Sequence, residues 1–152
     1  MRFQVNGSTV MKRVLGVDHG EARMGVALSD EAGFMAHALE TIHVKTTNAL
    51  NRLTELAQKH DVANIIIGLP RNMDGSYGPA AEKVRAFAEQ LKGQISTPVI
   101  LWDERMTTLQ AQRALHDAGR NVKNSREVID QVAAQTILQS WMDSQADFGM
   151  PM

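Results

Sequence analysis

Val14-Leu15-Gly16-Val17 is an unbroken apolar run that stops at Asp18. With no polar residue to turn toward water, it predicts a strand buried on both faces. Gly20 and Gly25 bracket a turn, and Val26-Ala27-Leu28 predicts a second strand that closes a hairpin with the first. A weaker third strand is expected over residues 36–44. Residues 48–60 carry Ala49, Leu50, Leu53, Leu56 and Ala57 at helical spacing. Residues 62–68, with Ile65-Ile66-Ile67 inside, predict another doubly buried strand. A loop rich in Gly, Pro, Asn and Asp follows over 68–78. Residues 79–91 predict a helix with Pro79 in its first turn, and residues 99–102 a fifth strand. Thr107 or Thr108 is expected to cap a helix that reaches residue 118 and stops at Gly119; Ser125 is expected to cap a last helix ending near residue 144. A meander of strands followed by alternating strands and helices predicts an α/β fold. Its sheet is mixed and five-stranded, a three-strand antiparallel meander plus parallel crossovers, flanked by helices.

The 152 residues suit one domain with a core of ordinary size. That domain is placed at 13–144, after an N-terminal leader at 1–12, where Met11 is an alternative start. A flexible C-terminal tail is expected at 145–152. No apolar run approaches bilayer length, and the polar start of the chain lacks the apolar centre of a signal peptide. A cytoplasmic location is therefore expected. With no cysteine there are no disulfides and no thiolate metal sites. The net charge of −1 gives no general attraction for phosphate, so a nucleic-acid partner would have to be met by local basic patches.

Three acidic positions end or interrupt apolar elements. Asp18 follows the first buried strand directly, at the kind of position where ligands collect in open α/β sheets. The structural alternative is an aspartate bonding nearby backbone N–H groups in a turn. Asp103 and Glu104 follow the fifth strand, and only one of two adjacent strand residues can share a face with Asp18. The alternative for these two is a strand-end ion pair, Arg105 being adjacent. Asp130 falls within the apolar stripe of the last helix, among Ile129, Ala133, Ala134, Ile137, Leu138 and Trp141. An ionised carboxylate there needs a partner or a metal. The partner alternative is an Asp–Arg pair with Arg23 or Arg105. One carboxylate after the first strand, one after the fifth and one on a late helix make a set of hard oxygen ligands, which suits divalent cations. Two such ions can clamp the attacking water and the leaving oxygen of a phosphodiester.

The neighbouring loops offer further candidates. The turn from Asp18 to Gly25 carries His19, suited to proton transfer or phosphate contact but more often merely solvated in such a loop. Its glycines allow close backbone approach to a phosphate or metal. Arg71 and Asn72 are candidates for nucleic-acid backbone contact, against the alternative of an Asx-type turn reversed at Asp74-Gly75. Arg120, Lys123 and Arg126 form a basic stretch ahead of the last helix, suited to phosphates or simply solvated.

Four blocks, in order, are similar to the YqgF family, also called RuvX or Holliday-junction-resolvase-like proteins. They are Val17-Asp18-His19-Gly20 through Arg23-Met24-Gly25-Val26-Ala27 to Ser29-Asp30; Ile67-Gly68-Leu69-Pro70 with Asn72-Met73-Asp74-Gly75, running on to Glu82-Lys83-Val84; Asp103-Glu104-Arg105-Met106-Thr107-Thr108; and Ile129-Asp130 with Ala133-Ala134. The resemblance spans nearly the whole chain from Lys12 to Trp141. It implies an RNase H-like fold and a nuclease dependent on Mg²⁺ or Mn²⁺. The implied substrate is the 5′ end of precursor 16S rRNA or, alternatively, a branched DNA junction. It also implies Asp18, Glu104 and Asp130 as catalytic metal ligands, choosing Glu104 over Asp103. Arg23, Arg71, Asn72, Arg105, Arg120, Lys123 and Arg126 are the candidate contacts to structured RNA or branched DNA. Symmetric junction cutting needs two active sites, hence a homodimer.

Two other readings compete. A sugar-kinase or actin-like ATPase shares the core and an Asp-x-Gly hairpin but needs a second lobe, for which the chain has no room. A non-catalytic RNA-binding ribosome-assembly factor is a rival of another class. An aromatic content of 5% argues against a module that stacks bases to read sequence.

Overall fold

The computed structural model describes residues 2–5, 8–72, 74–103 and 126–149. Within the stretch expected as a leader, β1 (Arg2–Val5) and β2 (Ser8–Met11) pair antiparallel and form a small sheet of their own. The main sheet has five strands: β3 (Arg13–Asp18), β4 (Arg23–Ser29), β5 (Ala36–His43), β6 (Val62–Leu69) and β7 (Val99–Asp103). Their order is β5-β4-β3-β6-β7. β3, β4 and β5 form the antiparallel meander, while β6 and β7 run parallel to β3. This is the mixed five-stranded sheet that the order of sequence patterns predicts.

Three helices are described: α1 (Ala49–Lys59), α2 (Pro79–Gln94) and α3 (Arg126–Gly149). Asn48 caps α1, its side chain accepting a hydrogen bond from Asn51 N at 3.0 Å. α2 starts with Pro79 just inside, where the missing N–H is no loss. α3 continues to Gly149, past the expected end near residue 144, so the first part of the expected tail is helical backbone. The helix expected after Thr107 or Thr108 lies outside the described residues.

Alternation along the strands separates two cores. Leu15 and Val17 of β3, with Ile65 and Ile67 of β6, face α1 and α2 and pack with Leu53, Leu56 and Leu91. Val14, Ala27 and Ile66 face the other way and pack against Ala134, Ile137, Leu138 and Trp141 of α3. β6 is buried along its whole length, because helices cover both of its faces. Each such fully buried Ile, Leu or Val side chain contributes about 1.5–3 kcal/mol as an upper estimate.

β4 begins at Arg23 rather than Val26, since Arg23, Met24 and Gly25 continue the ladder with His43, Ile42 and Thr41 of β5. The longer strand carries Arg23 and Gly25 into the sheet, opposite the end of β3. Two glycines let α3 lie close against it. A Cβ on Gly16 would stand 2.6 Å from Leu138 Cβ, and one on Gly25 would collide with the carbonyl group of Asp130. The α3 backbone thus rests where two side chains are missing.

Candidate active site

Asp18 ends β3, and its partner across the antiparallel ladder is Gly25. Residues directly opposite in such a pair project to the same face of the sheet. The face of Gly25 is fixed by what a Cβ there would strike, the Asp130 carbonyl. Asp18 therefore projects on the side of the sheet that α3 covers, beside the turn that carries Asp130. The Gly25 spacing admits a helix backbone, a role distinct from the close approach of phosphate or metal expected of that glycine.

Asp130 lies one turn before Ala134, at the foot of the ridge formed by Ala134, Leu138 and Trp141. Its carboxylate Oδ2 accepts a hydrogen bond from Arg23 Nε at 2.9 Å. Arg23 stands two residues before Gly25 on the same face of β4. The Arg23 and Asp130 side chains retain 28% and 21% of their exposure, so the pair is partly shielded while water still reaches it. The Asp–Arg pairing left open by the sequence is thus present, with Arg23 as the partner. It balances the charge of Asp130 and ties the carboxylate to the start of β4. The start of α3 is fixed to β5 as well: Thr41 Oγ1 donates to the Glu127 carbonyl at 2.9 Å, and His43 Nε2 lies 2.5 Å from Glu127 Oε1.

β7 separates the two acids that follow the fifth strand. Trp102 faces α3, its Nε1 donating to Ser140 Oγ at 3.1 Å. Asp103 therefore points to the opposite face, where its Oδ2 accepts from Arg71 Nη1 at 2.7 Å. Asp103 does not share a face with Asp18. The Arg71 guanidinium also lies 4.5 Å from the centre of the Tyr77 ring, with Arg85 at 4.6 Å from the same ring. Arg71 Nε is buried with no hydrogen-bond partner among the described residues. Asn72 is exposed and bonds within its own loop, its Nδ2 donating to Ser76 Oγ at 3.1 Å. The expected reversal is present: Asp74 Oδ1 accepts from Ser76 N at 2.9 Å, and Gly75 takes a φ of 89°.

His19 leaves β3 on the face opposite Asp18, and its ring packs against Phe87 of α2 with centroids 5.0 Å apart. Burial lowers its pKa from the ordinary imidazole value; a backbone hydrogen bond opposes this and the Lys83 charge adds to it.

Glu104, Arg105, Arg120 and Lys123 lie outside the described residues, as does the side chain of Arg126. Among the described residues no group of three His, Asp or Glu side chains could hold a metal ion. Two members of the expected triad, Asp18 and Asp130, lie on the same side of the sheet. They are hard oxygen donors on one face, of the kind divalent cations prefer, with one guanidinium offsetting part of their charge. Sequence reasoning did not find the residues around the cavity beside His19, described below. Their only signal was that Lys83, Phe87 and Gln90 fall on one side of α2.

Residues 12–144 match the family RuvX, described as Holliday junction resolvase. Relatives carry the name "Putative pre-16S rRNA nuclease". One, from Pelotomaculum thermopropionicum, is 49% identical over 135 residues, which is 88% of this chain and 88% of that protein. Another, from Symbiobacterium thermophilum, is 47% identical over 135 residues, 88% of this chain and 94% of that protein. Among solved structures, Thermus thermophilus RuvC in complex with a Holliday junction substrate superimposes with a TM-score of 0.58 at 13% identity, covering 93% of this chain and 100% of that one. That likeness is one of fold, the RNase H-like arrangement implied by the family resemblance. The sequence match, nearly end to end, settles the kinship: the chain belongs to the RuvX family.

Proposed function

We propose that this chain is a metal-dependent nuclease that hydrolyses phosphodiester bonds, acting in 5′-end processing of precursor 16S rRNA during ribosome biogenesis. The observation that carries the reading is that Asp18 and Asp130, far apart in sequence, lie on the same side of the sheet: Asp18 pairs with Gly25, and the face of Gly25 meets the Asp130 backbone carbonyl. The names borne by relatives at 42–49% identity support the substrate.

In this reading Asp18, Glu104 and Asp130 would hold Mg²⁺ or Mn²⁺. Asp103 turns to the opposite face and bonds Arg71, which supports Glu104, the acid implied by the family resemblance, as the second ligand. The cations, when bound, activate a water and stabilise the charge that builds on the leaving oxygen. Arg23 fixes the Asp130 carboxylate and would share its charge with a bound ion. Arg23, Arg71, Asn72, Arg105, Arg120, Lys123 and Arg126 remain the proposed contacts to nucleic acid. Two of these, Arg23 and Arg71, already bond carboxylates and would have to share a phosphate with them. No helix among the described residues is long and apolar enough to cross a membrane, and the proposed substrate puts the work in the cytoplasm.

The second reading, a structure-selective endonuclease on branched DNA, is favoured by the family's description and by the fold shared with RuvC. It calls for a homodimer with two sites. The test sets a precursor rRNA fragment beside a four-way DNA junction, each with Mn²⁺, with Mg²⁺ and with chelator. Asp130→Asn is expected to abolish cleavage while the protein keeps its fold by circular dichroism. Full activity in that variant removes Asp130 from the mechanism. RNA binding with no metal binding by calorimetry would leave a non-catalytic assembly factor.

A further inference from the structure

A cavity of about 510 Å³ opens on the far side of β3 from Asp18. It begins at the very next residue: His19, Gly20 and Glu21 form one wall, the start of α1 a second and α2 a third. Its volume falls in the range of pockets that hold small organic ligands. The interior is largely apolar, with Met24, Val44, Leu50 and Phe87 on its surface. The charges at its rim offset one another, because Lys83 Nζ bonds Glu21 Oε1. Asn48 uses its side-chain oxygen to cap α1, which leaves the amide NH₂ to donate at the cavity edge. Gln90 adds a second neutral amide, exposed on α2.

Apolar walls, neutral hydrogen-bonding edges and no surplus of cations suit a flat, uncharged heterocycle rather than a phosphate. We propose that this cavity receives one nucleobase of the substrate, unstacked from its neighbours, while the adjoining phosphate lies at Asp18. Successive residues of a strand point to opposite faces, so Asp18 and His19 present two sites on either side of one strand end. A nucleotide bent around that end would join them. This deepens the proposed nuclease reading and rests on it for the position of the phosphate. Its consequence is substrate class: leaving a duplex stack costs a few kcal/mol, and least where the strand is already single, so single-stranded stretches are favoured over intact duplex.

Ala86 is exposed on α2 and lines the cavity, so Ala86→Trp fills it without disturbing the core. The probes are short single-stranded RNA and DNA oligonucleotides carrying 2-aminopurine at the scissile position, and matched abasic versions. Binding to the full chain and to Ala86→Trp is followed by fluorescence with Mn²⁺. The wild type is expected to change the 2-aminopurine signal and to bind the abasic oligonucleotide about tenfold or more weakly, as loss of one stacked base predicts. Ala86→Trp is expected to melt like wild type, to lose the signal change, and to bind both probes alike. Equal wild-type affinity for base-bearing and abasic probes overturns the proposal even if Ala86→Trp misfolds, as does an unchanged signal in a folded Ala86→Trp. Asp130→Asn separates the two readings. If it captures the base but does not cut, both stand; if it cuts like wild type, the metal site fails while base capture is judged on the probes alone.

Discussion

Gly25→Ala tests the close approach that the site depends on. The added methyl would overlap the Asp130 carbonyl carbon and oxygen, and a Cβ there would also lie 3.0 Å from Gln131 N. These are backbone atoms within a helix, so no rotamer change relieves the clash, and α3 must move as a body. α3 is held by Ala134, Ile137, Leu138 and Trp141, all buried against the sheet. Overpacking of this kind costs about 1–3 kcal/mol, and a backbone obstacle places it at the upper end. For a domain of this size that lowers Tm by about 2–4 °C per kcal/mol. The shift also carries Asp130 away from Asp18, and a misplacement of about 1 Å at a catalytic group can cost roughly 100-fold in rate. Thermal melting and Mn²⁺-dependent cleavage are measured together. Gly93→Ala is the control, since nothing stands within 4 Å of a Cβ there and the substitution removes a helix glycine, a gain of about 0.5–1 kcal/mol. If Gly25→Ala melts and cuts like wild type, α3 does not rest on Gly25 and the shared face of Asp18 and Asp130 is wrong.

Arg23→Met is expected to lower metal-free stability by leaving Asp130 without its 2.9 Å partner, and to enlarge the rise in Tm on adding Mn²⁺; a smaller metal-induced rise than in wild type would show that Arg23 does not share Asp130 with the ion. Arg71→Ala is expected to lose about 1–2 kcal/mol in urea titration, from the 2.7 Å bond to Asp103 and the packing on Tyr77, and an unchanged midpoint would refute this. Burial, reinforced by the neighbouring Arg13 charge, lowers the pKa of His60, so the folded state favours the neutral ring. The unfolded chain then binds more protons, and stability falls as pH drops below about 6.5 toward the folded value. His60→Gln is expected to flatten that slope in denaturation followed from pH 7.5 to 5, and an unaltered slope would exclude His60 as its source.

The sequence alone determined the sheet, because burial on two faces leaves a pattern that needs no tertiary knowledge. Ile65-Ile66-Ile67 and Val14 to Val17 have no polar side to offer, so they had to be central strands, and the meander-then-crossover order limited how they could pair. The sequence also singled out Asp18 and Asp130, each an acid at the end of an apolar run or within an apolar stripe. It left open which acid after β7 shares their face and which arginine meets Asp130. Both depend on register and on how α3 lies across the sheet, quantities set by contacts between residues distant in the chain. Tertiary structure decided that Trp102 faces α3 and Asp103 faces Arg71, and that Arg23 reaches Asp130. It also gave Gly25 its role. A glycine in a hairpin reads locally as a turn residue, and only the helix packed above it shows that the missing side chain makes room for the backbone of another element.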